Sequence, residues 1–453
     1  MKKQIFKGKP NSPSKNLKVN WTSPGNLLFK KNSPNTVQFP HCGNWGNPDY
    51  HNGRKNKSQD RCQGKAVVGQ SGGCTAVINQ SLAGVVEAAR TSSRITGILG
   101  SRNGIEGILN GSFVDLKAKP SKLIRAVAES PSAALGSSRY KLKPGDDRKI
   151  VASLRKHNIR YVFLIGGNDT ANTSLQIAKA AEKDHYEIRV IHIPKTIDND
   201  LVETDHSPGY GSVARFAAIT TQEAALDTRA MKNVDPVKII ELMGRNSGWI
   251  VAASALLKKS PADAPHILFI PEVPFDETAF VKKTEAVLQS VGYCIIVISE
   301  TIRDYGGNRI GHKTKGVTAD PFGHQYVEGT AARLAAVLEK NLSVRARFDK
   351  PGTIQRMSMA YISEIDQKEA YQAGVHAVKW ALQGMTQVMV GFERKPEKEY
   401  AICYKPVPLE KIPNRERDLP AGFFDRKKGM ITPAFVKYAL PLLGKGLPDF
   451  ASF

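Results

Sequence analysis

The sequence is short of three things. Cysteine is scarce: Cys42, Cys62, Cys74, Cys294 and Cys403 are the only five in 453 residues. An odd, sparse set in so long a chain argues against a disulfide scaffold and for a reducing, cytoplasmic compartment. No CxxC pair occurs, and His41, Cys42, His51 and Cys62 match no zinc-finger spacing. Long apolar runs are also missing. No uncharged stretch of 18 or more apolar residues exists, so no membrane partner is expected. Met1-Lys2-Lys3 begins like a signal peptide, but no apolar core comes after it. Acidic residues are the third shortage: 42 Asp+Glu face 65 Lys+Arg, a net charge of +23. That balance favours anionic partners, either nucleic acid or small phosphates.

The excess charge is uneven. Residues 1–63 hold twelve Lys and Arg against Asp49 and Asp60. This segment is rich in Asn, Pro, Lys and Ser and keeps no period of 2 or 3.6, so a basic, disordered extension is expected. A nucleic-acid tail is the sharper reading. A solvated extension is the plainer one and is preferred, so no nucleic-acid partner is expected.

From Gly64 the texture changes. The runs Ala66–Val68, Tyr161–Ile165, Val190–Ile193, Val237–Leu242, Ile267–Ile270 and Cys294–Ile298 are apolar on consecutive positions. Strands buried on both faces have that pattern. Helical spacing separates them, as in Ala76–Arg90 and Ala171–Lys183. Alternating strands and helices predict α/β architecture with parallel, doubly wound sheets. The alternation is too long for one open sheet, so two such domains facing a cleft are expected.

Ligands of these folds sit beyond the C-terminal ends of strands. The first run leads into Gly69-Gln70-Ser71-Gly72-Gly73-Cys74-Thr75 before a helix. Such a loop suits phosphate, through close backbone approach and the helix dipole; a plain tight turn is the alternative. The second leads into Gly166-Gly167-Asn168-Asp169-Thr170. Asn168 and Asp169 could hold Mg²⁺, or Asp169 or Thr170 could cap the next helix. The third leads into Pro194-Lys195-Thr196-Ile197-Asp198-Asn199-Asp200. One Asp there can act as a base toward a hydroxyl while the other organises Mg²⁺ or an arginine, and Lys195 offers a point charge for phosphate. Met243-Gly244-Arg245 and Pro271-Glu272 come after later strands, and Arg347 and Gly352-Thr353-Ile354-Gln355-Arg356 add cations. Gly209-Tyr210-Gly211 resembles a dinucleotide fingerprint but is not preceded by a strand. No GxxxxGK[ST], HRD or DFG occurs, which excludes two familiar phosphoryl-transfer templates.

Together, in this order, these motifs resemble the 6-phosphofructokinase family over about residues 64–450. The resemblance implies two Rossmann-like domains. Residues 64–209 with about 355–453 would form the donor domain, and 210–354 the sugar-phosphate domain. It implies fructose 6-phosphate as acceptor and Mg²⁺ as cofactor. Asp198 would be the base for the sugar 1-hydroxyl, and Thr196, Ile197 and Asp198 would contact the sugar phosphate. Asp200 and Asn168 would serve the metal. Met243, Gly244, Arg245, Glu272, Thr353 and Arg356 would line the sugar site, and Arg139 would bridge the transferring phosphoryl. Gly72 and Thr170 would sit against the donor. Arg347 resembles an arginine that reaches a neighbour's site, which implies a homodimer or homotetramer.

The donor is set by two departures. ATP-using members resemble Gly-Gly-Asp-Gly and Pro-Gly-Thr-Ile-Asp, whereas this chain has Asp169 and Lys195 where they carry glycine. An acid there takes the place of a nucleotide α-phosphate, and like charges at about 4 Å cost a few kcal/mol at an effective ε near 20. Lys195 suits the compact pyrophosphate anion. Both changes resemble the pyrophosphate-dependent subfamily, whose reaction runs both ways. Asn168 for Asp, Pro236 for Arg and Thr353 for His or Tyr depart from the family pattern and leave sedoheptulose 7-phosphate open as acceptor. The alternatives are the ATP-dependent enzyme and a catalytically idle, basic binding relative.

Overall fold

The computed structural model describes residues 62–313, 327–397 and 399–451. Residues 1–61 of the expected extension lie outside them. The described elements include thirteen strands. These are β1 (Gly64–Gln70), β2 (Ile95–Ser101), β3 (Phe113–Asp115), β4 (Ile159–Gly166), β5 (Arg189–Pro194) and β6 (Val237–Leu242). After these come β7 (Ile267–Phe269), β8 (Cys294–Ser299), β9 (His312–Lys313), β10 (Val327–Glu328), β11 (Ala346–Asp349), β12 (Val388–Arg394) and β13 (Ile402–Pro408). All six expected strands are present. The short or polar strands β2, β3, β11 and β13 do not stand out in the sequence.

Seven strands form one sheet in the order β13-β12-β5-β4-β1-β2-β3. Its interior pairs are parallel, while β3 and β13 close the edges antiparallel, a departure from the all-parallel expectation. A second sheet, β11-β6-β8-β7, is parallel throughout.

Both sheets bury both faces, which explains the consecutive apolar runs. Ala66, Val68, Tyr161, Phe163 and Ile165 enter one core with the helices Ile78–Arg90 and Glu364–Leu382. The intervening Val67, Val162 and Leu164 enter another, against the helix Asp146–Lys156. In the second sheet Ile240, Leu242, Ile295 and Val297 face one way and Val237, Ile239, Ile296 and Ile298 the other. A period of two with apolar residues in both phases is the doubly wound pattern.

Two details fix the frame. The helices Ile78–Arg90 and Glu364–Leu382 cross where glycine removes the side chains. A Cβ on Gly84 would lie 2.1 Å from the Tyr371 carbonyl oxygen, and one on Gly374 2.3 Å from that of Ser81. The fingerprint-like Gly209-Tyr210-Gly211 opens the helix Tyr210–Ala230. Asp366 accepts there from Gly209 N at 2.8 Å and Ser212 N at 2.9 Å, so this motif is a helix start satisfied by a carboxylate. Cys62, Cys74 and Cys294 are free thiols. Among the described residues no helix is long and apolar enough to cross a membrane.

Candidate active site

The expected ligand loops do gather at the C-terminal ends of the strands. Beyond β1, Gly72 turns with φ +78° and donates its N–H to the Ser138 carbonyl at 2.9 Å. The Ser137 hydroxyl donates to the Gly72 carbonyl at 2.6 Å. These bonds lay the segment carrying half-buried Arg139 along the loop. Lys195 Nζ donates to the Gly73 carbonyl at 2.8 Å. A Cβ on Gly72 would lie 3.1 Å from that Nζ, and one on Gly73 2.6 Å from Arg356 Nη1. Glycine is therefore what lets two cations stand over this loop.

Beyond β4, Gly166 leaves no room for a side chain, because its Cβ would lie 2.2 Å from Thr170 Oγ1. The helix Asn168–Lys183 starts after Gly167 with no side-chain cap, so the capping alternative for Asp169 or Thr170 is not realised. Asp169 stands exposed in the first turn, favoured by the helix dipole, while Thr170 is buried. Asn168 Nδ2 donates to the Arg415 carbonyl at 2.6 Å, and its buried Oδ1 has no partner in the structure.

Beyond β5 the chain carries the densest chemistry. Lys195 is only 3% exposed. Burial lowers its pKa to about 8; Cys74, Asp198 and Asp200 resist that fall and Arg356 adds to it. Burial pushes Asp198 up to about 6, with Glu300 adding to the shift and Arg245 and Lys195 opposing it. Burial, then the charges of Asp198 and Glu416, push Asp200 up to about 7. The two carboxyls titrate as a pair rather than singly. Between them Asn199 takes φ +55° and is buried. Its amide donates to Tyr438 Oη at 3.0 Å and accepts from Ser207 N at 3.1 Å. Asn tolerates that left-handed turn because its short polar side chain bonds locally. Thr196 Oγ1 accepts from Asp198 N at 3.1 Å.

The second sheet supplies the opposite wall. Beyond β6, Met243 N donates to Gln355 Oε1 at 3.0 Å, and Gly244 turns with φ +119°. Arg245 lies within electrostatic reach of both Asp198 and Glu300. Beyond β7, Glu272 Oε1 accepts from Gly248 N at 2.8 Å and Leu419 N at 2.9 Å. Its Oε2 is buried without a partner in the structure, and burial raises its pKa.

Not every expected residue is brought here. Ile197 packs its side chain into the apolar core. Thr353 is exposed, just before the short helix Ile354–Met357. Arg347 lies on β11 opposite Lys238, near the start of β6, and donates Nε to Asp235 Oδ2 at 2.6 Å. Within one protomer it is not joined to the Asp198 group. Sequence reasoning missed Gln355, Glu300, Glu416 and Arg417. Glu300 lies just past the expected strand Cys294–Ile298 and Gln355 within the run before Arg356, so position could have found them. For Glu416 and Arg417 the signal was the charged run Arg415-Glu416-Arg417-Asp418 after Pro413, which alone reads as a solvated loop.

These loops, cations and raised carboxyls define a phosphate-handling α/β site. A phosphofructokinase family model matches residues 65–381, and the chain belongs to that family. It is 38% identical over 405 residues to the pyrophosphate–fructose 6-phosphate 1-phosphotransferase of Xanthomonas campestris, covering 86% of this chain and 96% of that one. It is 39% identical over 392 residues to the protein of the same name from Rhodospirillum rubrum, covering 85% and 96%. The solved pyrophosphate-dependent phosphofructokinase of Nitrosospira multiformis matches with a TM-score of 0.77 at 33% identity, covering 86% and 94%.

Proposed function

We propose that the protein transfers a phosphoryl group, reversibly and with Mg²⁺, from pyrophosphate to the 1-hydroxyl of fructose 6-phosphate. The products are fructose 1,6-bisphosphate and phosphate. The observation that carries this reading is Lys195. It is a buried cation fixed on the donor loop through Gly73, where ATP-using relatives resemble glycine. The names of the relatives support it.

In this reading Asp198 takes the hydroxyl proton as the acceptor oxygen attacks phosphorus. A carboxyl raised toward neutrality is a better base than an ordinary one, and it remains largely ionised near pH 7. Lys195 and Arg139 face the negative oxygens of the transferring group, and Gly72 and Thr170 shape the donor loop. Such transfer depends on alignment and charge neutralisation more than on covalent help. Asp169 crowds out a nucleotide α-phosphate. Thr196, Asp198, Met243, Gly244, Arg245 and Glu272 hold the sugar. The backbone at Ile197 contributes, and Arg356, which stands over Gly73 near Lys195, faces the phosphoryl groups in the cleft, whereas Thr353 is exposed and is given no role.

The metal fits this donor set. Asn168 Oδ1 is a buried acceptor without a partner, and Asp200 is a second oxygen ligand. Among the described residues no group of three His, Cys, Asp or Glu could hold a metal by itself. Mg²⁺ takes few protein oxygens and keeps phosphate and water for the rest. When bound it would neutralise donor charge. Arg347 of a second copy completes the sugar-phosphate site, which makes the enzyme a homodimer or homotetramer. The proposal places it in the cytoplasm.

The test is product analysis with pyrophosphate and Mg²⁺. Fructose 1,6-bisphosphate should form, and orthophosphate should drive the reverse reaction. No product in either direction, with or without metal, overturns the reading.

A further inference from the structure

A segment far along the chain crosses this site without supplying any of the groups assigned to the chemistry. Residues Arg415–Leu419 run without helix or strand. Their contacts fall on the loops of both sheets. The Arg415 carbonyl accepts from Asn168 Nδ2 at 2.6 Å, beyond β4. Arg417 N donates to the Asp200 carbonyl at 2.8 Å, beyond β5. Glu416 Oε2 accepts from Asn246 Nδ2 at 2.8 Å, and the Arg417 carbonyl from Trp249 Nε1 at 3.1 Å, both beyond β6. Leu419 N donates to Glu272 beyond β7.

The guanidinium of Arg417 does the most. Its Nη2 donates to the Asn199 carbonyl at 2.8 Å. Its Nη1 donates to the carbonyls of Thr204 at 2.8 Å and Asp205 at 2.6 Å. Its face lies 4.6 Å from the Trp249 ring centroid. Only a planar fork can satisfy three converging carbonyls and stack at the same time. These carbonyls lie at the left-handed turn of Asn199 and a few residues after it, so Arg417 fixes the backbone leading out of the Asp198–Asp200 segment.

The geometry points to Arg415–Leu419 as a strap that locks the donor and acceptor loops to one another, with Arg417 as its positioning residue. By engaging Nδ2, Arg415 turns Asn168 so that Oδ1 faces away from the strap, ready for a cation. Glu416, held by Asn246, ties the strap to the loop beyond β6. None of the strap residues needs to touch substrate.

The kinetic part of the test rests on the proposed phosphoryl transfer, and the exchange part does not. In the full chain, Arg417→Met should lower kcat on the order of 100-fold, the scale of a misplacement of about 1 Å. KM for either substrate should move less than about threefold, as when only transition-state alignment is lost. Amide exchange should quicken over residues 196–205 while β1 and β4 keep their protection. Arg417→Lys, which keeps the charge and loses the fork, should lower kcat and quicken the same exchange, though less than Arg417→Met. A merely structural segment would lower the melting temperature without exchange localised at 196–205 and without a kcat loss separated from KM. Wild-type kcat and wild-type exchange in Arg417→Met overturn the strap. Should Arg417→Met fail to fold, wild-type kcat and exchange in Arg417→Lys overturn it, and changes in both uphold it. A wild-type protein without pyrophosphate activity sinks the functional reading alone, and the exchange comparison still judges the strap.

Discussion

In the proposed reading, the donor half of the site is shaped largely by glycine backbone, and the acceptor half mostly by side chains. Around β1 and β4 the closest approaches are at Gly72, Gly73 and Gly166, where no Cβ fits without displacing Lys195, Arg356 or Thr170. Around β6 and β7 the walls are Met243, Arg245 and Glu272, each tied back by a backbone bond or a facing charge. A compact inorganic anion has only oxygens to present, so N–H groups and fixed cations suffice to bind it. A sugar phosphate presents hydroxyls at set positions and needs directed acceptors and donors. The two charges proposed to set donor choice also differ. Lys195 is buried and held to a carbonyl, whereas Asp169 is exposed and its charge is more strongly screened.

That contrast can be broken at several points. The largest effect should come from Asp198→Asn, which removes the base and keeps the shape. Turnover should fall by roughly 10²–10⁴-fold while sugar-phosphate binding, measured by calorimetry, stays near wild type. Next is Lys195→Met, which removes the fixed donor-side charge. Activity with pyrophosphate should drop on the order of 10²–10³-fold, with KM for the sugar phosphate little changed. The double change Asp169→Gly with Lys195→Gly sharpens the contrast instead. It should raise ATP-dependent turnover by about tenfold or more while pyrophosphate use collapses, as loss of a like charge near an α-phosphate predicts. No gain with ATP would refute the steric and charge account of donor choice.

The pH profile is a gentler test of the same division. As the proposed base, Asp198 must be ionised, and burial raises its carboxyl to about 6. As the proposed donor-side cation, Lys195 must be protonated, and burial lowers its ammonium to about 8. The rate should therefore rise through the Asp198–Asp200 pair on the acid side and fall through Lys195 on the alkaline side. Lys195→Met should abolish the alkaline limb and spare the acid one. The smallest effect on chemistry should come from Gly374→Ala. It pushes a Cβ against the Ser81 carbonyl at the helix crossing, so stability should fall by about 1–3 kcal/mol in urea titration. Per-molecule kcat should hold.

Much of this frame was legible in the sequence for a simple reason. A strand buried on both faces must be apolar at consecutive positions, so β1, β4, β5, β6, β7 and β8 were visible, and the segments just past their C-terminal ends marked the ligand loops. The second sheet's edge strand β11 carries Arg347, Phe348 and Asp349 half-solvated, and that pattern hides it. Strand β12 has the same consecutive apolar run, Val388–Phe392, and was passed over, while the charged segment after it and the polar residues of β13 hide their pairing. In the site, most residues announced by their loops were legible, whereas those acting across the fold were not; Glu300, just past β8, had the positional signal and was passed over. Gln355 and Arg417 meet Met243 and Asn199 only through tertiary packing, over separations that no local spacing encodes. The Asp366 contact at Gly209 is of the same kind, and it turned an apparent fingerprint into a helix start.

The most direct measurement is a side-by-side initial rate on one purified preparation, with fructose 6-phosphate and Mg²⁺ at saturation and pyrophosphate or ATP as donor. A buried ammonium at position 195 beside an acid at 169 predicts rapid turnover from pyrophosphate and a rate near background from ATP. Brisk consumption of ATP with pyrophosphate left untouched would contradict it.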